Sequence, residues 1–158
     1  MPERTAYVDA LQMLGRRELS EKQLRDRLID REHSPEDIDR AIQLLQENRA
    51  LDDARVAAAY VRTAIKIKGR GRLRIQYELR DMGIANDVAA QALAEAFAET
   101  DERGLITRAL QKKLRGKPKI QDAAEYARVY QFLMRQGFSS AAVTAVLKAH
   151  RRGTGSDY

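Results

Sequence analysis

An all-α fold of three tandem three-helix repeats, forming an elongated, curved array, is what this sequence predicts, and three observations predict it. Only Pro2, Pro35 and Pro118 interrupt the 158 residues, so few positions refuse a helix. Long windows place apolar residues three and four apart, the spacing of one helical face. The helix-and-turn pattern of the first third then recurs twice, about 50 residues apart, which is the signature of a repeat array.

The first repeat, residues 1–51, opens with a helix from about Glu3 to Gly15 that carries Tyr7, Ala10, Leu11 and Leu14 on one face. Its second helix begins at Ser20, where Ser20-Glu21-Lys22-Gln23 forms a capping box and Leu19 is placed to staple onto Leu24. The third starts at Ser34, with Pro35 at the first helical position and His33 placed to staple onto Ile38. Ile38, Ala41, Ile42 and Leu45 continue its buried face to about Asn48.

A shift of 51 residues lays Leu24, Leu28, Ile38 and Ile42 onto Ile75, Leu79, Ala89 and Leu93, and lays the cap Ser20 onto Gly71. A further shift of 54 reaches Val129, Leu133, Val143 and Leu147. The turn between second and third helices repeats as Arg31-Glu32-His33, Met82-Gly83-Ile84 and Gln136-Gly137-Phe138, and glycine supplies the left-handed residue in the last two. The second repeat therefore spans 52–100 and the third 101–152. Their first helices run from an Asp52 or Asp53 cap through Val56, Ala59, Tyr60, Thr63 and Ile67, and from about Asp101 through Leu105, Ile106, Ala109, Leu110 and Leu114. The tail from Arg151, RRGTGSDY, is expected to be disordered, with 153–158 outside the last repeat.

Composition narrows the function. There is no cysteine, which removes disulfides, cysteine-ligated zinc and thiol catalysis and suits a cytoplasmic protein. The N-terminus MPERTAYVDA does not read as a secretory signal, and the longest uncharged run, Gln136 to Leu147, falls well short of a membrane span. Net charge is +6 but unevenly spread: −4 over residues 1–53, +7 over 54–80, −6 over 81–102 and +10 over 103–152. Solvated helix faces explain many charges but not sign reversal between blocks, which marks a polyanion or an acidic protein as partner.

The cations concentrate in the loops after the first helix of each repeat: RREL with Arg16 and Arg17, KIKGRG, and RGKPKIQD. In the second repeat, Lys66, Lys68, Arg70, Arg72, Arg74 and Arg80 face only Glu78 and Asp81 across 66–84. The glycines there lack the Gly-Lys-Ser/Thr or third glycine of a nucleotide loop, and Gly71 serves as an N-cap. In the third repeat Lys112, Lys113 and Arg115 sit where a helix end favours cations anyway, so Lys117 and Lys119 beyond it are the better contact candidates. Glu18 and Glu21 leave Arg16 and Arg17 balanced between partner contact and local ion pairs. Asp52 and Asp53 read as caps rather than a metal or acid–base pair, and His33 and His150 lack catalytic or metal-ligand context. Tyr60, Tyr77, Tyr126 and Tyr130 are assigned to packing, with base stacking left open for Tyr77 alone. No catalytic residue, metal site or cofactor is expected.

Three stretches carry a family resemblance: ALQMLGRRELSEKQLRDRL (10–28), LDDARVAAAYVRTAIKIKGRGRLRIQYELRDMGI (51–84) and YQFLMRQGFSSAAVTAVL (130–147). Together they resemble the RecX regulatory proteins, modulators of the RecA recombinase. Val56 stands where that family usually has phenylalanine, Ala64 where an arginine is common and Gly15 where an alanine-like residue is usual. The resemblance implies a small non-catalytic protein that binds RecA and its nucleoprotein filament and usually inhibits strand exchange, ATP hydrolysis and co-protease activity. The basic loops would meet DNA phosphates or acidic patches on RecA. The alternative class is a general nucleic-acid-binding helical repeat protein acting without RecA. Either way, single- and double-stranded DNA would be bound with weak sequence preference, and a monomer is the simpler expectation.

Overall fold

The computed structural model describes residues 4–154, with the side chains of 153 and 154 left aside. Among them are nine helices and no strand: α1 (Ala6–Arg16), α2 (Glu21–Asp30), α3 (Pro35–Glu47), α4 (Asp53–Lys66), α5 (Arg72–Asp81), α6 (Asn86–Ala98), α7 (Glu102–Leu114), α8 (Ala123–Arg135) and α9 (Ser140–Thr154).

Local chemistry sets the helix starts. Ser20 accepts from the Gln23 amide while Gln23 reaches back to the Ser20 amide, the expected capping box. Ser34, Asp101 and Asp122 cap α3, α7 and α8 through their side chains, each satisfying a backbone N–H that the helix itself leaves unpaired. Asp52 caps α4, accepting from the amides of Ala54 and Arg55. Asp53 does something else: its Oδ1 accepts from the Glu21 amide at 2.9 Å, so the first residue of α4 caps α2. Burial is the main cause that raises the Asp53 pKa above its ordinary value, opposed by that amide and assisted by the charges of Glu21 and Asp52.

All twelve positions aligned by the repeat are buried, from Leu24 and Leu28 of α2 to Val143 and Leu147 of α9. Full burial of one such aliphatic side chain contributes about 1.5–3 kcal/mol, so these positions anchor each repeat. The turns repeat as well. Gly83 and Gly137 have φ of 81° and 100°, and Glu32, at the equivalent place, adopts the same left-handed conformation at φ 64° without being glycine.

Spatially the chain divides into two compact units, which do not follow the three-helix period. One takes in the chain up to Tyr60 together with Glu78–Ala92, and the other Val61–Tyr77 together with Leu93 onward. Both contain a junction between repeats. In the first unit α1 packs on α3 and α2 around Ala10, Leu24, Leu28, Ile42 and Leu45. There the buried Ser20 hydroxyl donates to the Met82 carbonyl at the end of α5, at 2.5 Å. In the second unit α7 packs on α9 and α8. There the Gly71 amide donates to the Gln136 carbonyl at 2.7 Å and the Leu73 amide to the Gly137 carbonyl at 3.0 Å. Both ends of α5 are thus engaged, each within its own unit, which is why the middle repeat is split.

Several expectations need correction. The buried face of α1 is Ala6, Asp9, Ala10 and Met13, leaving Leu11 exposed; that of α4 is Val56, Ala57, Val61, Ala64 and Ile65, with Thr63 and Ile67 outside. The buried face of α1 shares only Ala10 with the expected one and that of α4 only Val56, so both helices are rotated from the expected orientation. Tyr77 is 70% exposed, because Ile75 and Leu79 occupy the inward side of α5 and position 77 lies about 200° from 75. His33 also has a partner that the sequence did not announce: its Nε2 meets the buried Asp9 carboxylate at 2.6 Å. The helix α9 runs through Arg151 and Arg152 to Thr154, aided by cations at its C-terminus and by Arg151 lying over the Tyr126 ring. The remainder of the expected tail, 155–158, lies outside the described residues.

Candidate functional site

Two adjoining basic clefts form in the second unit. The larger, about 490 Å³, is bounded by the end of α4 and its loop, with Lys66, Ile67, Lys68 and Gly69, and by α7, with Arg108 and Lys112. Gly69 turns the loop with φ of 62°, into open space that leaves the cleft unobstructed. Glu99 and Asp101 stand on the same rim. Asp101 is engaged as the cap of α7. The neighbouring cleft, about 420 Å³, is lined by Lys112, Lys113, Arg115, Lys117 and Arg128, with Glu125 as its single carboxylate. Lys112 and Phe132 border both clefts, so the cationic surface is continuous.

Within this surface the expected residues differ in how their charge is engaged. Lys117 pairs with Glu125 at 3.3 Å, and Lys113 lies over the Phe132 ring at 4.9 Å. Arg115, in a left-handed conformation, ends α7. Lys66, Arg108, Lys112, Arg115 and Arg128 have no carboxylate at ion-pairing distance among the described residues, and neither has Lys119, which is exposed but lines neither cleft. Such charges keep their full attraction for an anion. Arg108 and Arg128 escaped the sequence reading, although Arg108 lies one turn before Lys112 on the polar side of α7, a spacing that points to it.

Other members of the basic stretch go elsewhere. The Arg72 guanidinium lies over the Phe97 ring at 5.9 Å, and Arg74 reaches the Arg135 carbonyl at 3.4 Å. Both therefore also serve packing within the second unit. Arg80 is exposed and belongs to the first unit. Ala64 is fully buried, so it is a packing position rather than a contact.

In the first unit Arg16 and Arg17 border a separate cleft of about 350 Å³ with Arg27, Arg31, Asp30 and Met13. The local ion pairs weighed for them do not form. Glu18 pairs with Arg55 at 3.0 Å and Glu21 with Arg25 at 3.6 Å. Among the described residues no group of His, Cys, Asp and Glu is arranged to hold a metal, and no helix is long and apolar enough to cross a membrane.

A tandem array of three-helix repeats whose clefts are lined by lysine and arginine defines a class of helical repeat proteins with cationic surfaces. The comparisons narrow this class. The first, second and third three-helix domains of RecX match residues 6–45, 52–93 and 101–147. The chain belongs to the RecX family. It is 33% identical over 140 residues to "Regulatory protein RecX" of Halorhodospira halophila, covering 89% of this chain and 84% of that protein. It is 35% identical to the protein of the same name from Geobacillus kaustophilus, covering 90% of this chain but only 52% of that relative, about half its length. Among solved structures, RecX from Lactobacillus salivarius superposes with a TM-score of 0.79 at 22% identity, covering 92% of this chain and 94% of that one, a likeness of fold. A second, titled "Crystal structure of regulatory protein RecX", gives 0.78 at 26% identity over 89% of this chain and 69% of its own.

Proposed function

We propose that this chain is a cytoplasmic, monomeric, non-catalytic regulator that binds RecA and the RecA–DNA filament and inhibits its recombinase, ATPase and co-protease activities. Family membership supports the RecA connection. The observation that carries the mode of action is the continuous cationic surface from Lys66 and Lys68 across Arg108 and Lys112 to Arg115 and Arg128. Clustered cations with few answering carboxylates attract a phosphate backbone, and neutralising about six phosphates would lower affinity by roughly 10³-fold between 50 and 200 mM salt. Binding through phosphates carries no base preference.

The test is the ATPase of RecA on single-stranded DNA, titrated with this protein at two salt concentrations, with binding to the naked DNA measured in parallel. Inhibition well below the concentration that saturates naked DNA supports filament binding. Inhibition only at concentrations that coat the DNA overturns it in favour of a general nucleic-acid-binding protein.

A further inference from the structure

The cleft of the first unit differs in chemistry from those of the second. It carries four arginines and no lysine, with Asp30 on its rim and Met13 at its wall. All four arginines belong to the C-terminal turns or caps of α1 and α2, where cations offset the helix dipoles. Each helix end accounts for about half a charge. Asp30 accounts for one more and Asp9, paired with Arg31, for up to another, which leaves a surplus of about one to two positive charges in one small cleft. Arg31 also approaches the buried Asp9 carboxylate, at 3.8 Å. Arg16, Arg17 and Arg27 are exposed and have no carboxylate at ion-pairing distance among the described residues.

We infer that this cleft is a docking site for an acidic peptide segment of a protein partner, while the 420 Å³ cleft of the second unit takes nucleic-acid phosphates. Guanidinium groups present paired N–H donors that match a carboxylate in bidentate fashion, whereas lysine acts as a point charge. Asp30 makes the same point from the other side. A nucleic-acid backbone offers acceptors only and is repelled by a carboxylate, but a peptide brings N–H donors that Asp30 can accept. Met13 adds an apolar wall for a side chain beside the acids. In the 420 Å³ cleft of the second unit, by contrast, the lone Glu125 is already engaged by Lys117 and the Gln121 amide, so that cleft presents donors almost exclusively.

The inference deepens the proposed function, and rests on it only for identifying the partner as a component of the RecA filament. The full chain is titrated with a fluorescein-labelled decapeptide alternating Glu and Leu, and separately with labelled oligo-dT. Substituting Arg16, Arg17 and Arg27 together by Ala is expected to weaken peptide binding at least tenfold and DNA binding less than twofold. Substituting Lys112, Lys113 and Arg115 together by Ala is expected to do the reverse. An Arg→Lys triple at 16, 17 and 27 keeps charge and helix ends, so a loss of peptide affinity of several-fold marks bidentate recognition, and unchanged affinity overturns it. No peptide binding by the unsubstituted chain, or equal losses for both ligands, also overturns the inference. In the RecA assay, an unsubstituted chain that fails to inhibit counts against the proposed function. An inhibitory chain whose arginine triple inhibits equally well counts against the docking site.

Discussion

The two repeat junctions are built on one plan with different materials. In the first unit the cap of α2 meets the end of α5 through a side chain, Ser20 Oγ to the Met82 carbonyl, and Gly83 faces the stem of Lys22. In the second the cap of α5 meets the end of α8 through main chain, Gly71 N–H to the Gln136 carbonyl, with the Arg74 side chain reaching the Arg135 carbonyl beside it, and Gly137 faces the backbone of Arg74. The first junction keeps a hydroxyl and a flexible side chain between its helices, while the second brings backbone against backbone. Replacing Ser by Gly at a cap is therefore more than a change of capping residue; it permits a closer approach.

The largest effect should come from filling the closer junction. A Cβ at Gly137 would lie 2.4 Å from the Arg74 backbone nitrogen, and φ of 100° disfavours any other residue. Steric displacement and a left-handed non-glycine residue together cost roughly 2–6 kcal/mol. Gly71→Ala meets the Gly137 carbonyl carbon at 2.5 Å without the φ penalty and should cost about 1–3 kcal/mol. Gly83→Ala meets Lys22 atoms, of which the outer ones can swing away, so it should fall below Gly137→Ala despite φ of 81°. Urea unfolding of the three variants ranks them. A Gly83 variant as damaging as the Gly137 variant would erase the distinction between the junctions.

Next in size is Ser20→Ala, which removes both the cap of α2 and the bond to Met82 from a fully buried site. A loss of about 1–2 kcal/mol is expected; Ser20→Gly should lose less at the cap, where glycine is tolerated, but still loses the hydroxyl's bond to the Met82 carbonyl and so stays below the unsubstituted protein. Full recovery of stability in the glycine variant would mean that the first junction can close like the second.

How much of this could be read from the sequence follows the range of the interactions involved. The caps at Ser20, Ser34 and Asp52 and the left-handed Gly83 and Gly137 are local, set within a few residues, and the repeat located all twelve buried positions because independent copies agree. The face of α4 was misread since a single helix offers both Ala57 and Ala59 as inward candidates, and only packing chooses. Asp9 and His33 lie 24 residues apart, and nothing local to either announces their pair. The same holds for the clefts. Lys66, Lys68 and Lys112 were legible as charges, but only the fold brings the α4 loop beside α7 and adds Arg108 and Arg128 to them.

A smaller effect tests the turns. Glu32 holds at φ 64° a conformation that Gly83 and Gly137 hold without strain. Glu32→Gly should stabilise the first repeat by about 0.5–1 kcal/mol, read as a rise in the unfolding midpoint.

The smallest effect concerns pH and separates the first junction from the second, where among the described residues no carboxylate bond like that of Asp53 to the Glu21 amide is seen. The folded pKa of Asp53 lies above the ordinary value of 3.8, chiefly through burial, so the folded state favours the protonated acid. That contribution is fully present below pH 3.8 and is lost as pH rises through the raised folded value. Asp37 runs the other way. Its bonds to Arg40 and to the Ser34 side chain lower its pKa, and its contribution is present above 3.8 and lost as pH falls through its depressed folded value. Asp53→Asn keeps an oxygen acceptor for the Glu21 amide and removes the titration. Unfolding midpoints of the two proteins compared from pH 3 to 6 should therefore diverge with rising pH, the Asn variant gaining relative to Asp. A constant difference across that range would mean that Asp53 acts only as an acceptor, and that burial at this junction does not resist its charge.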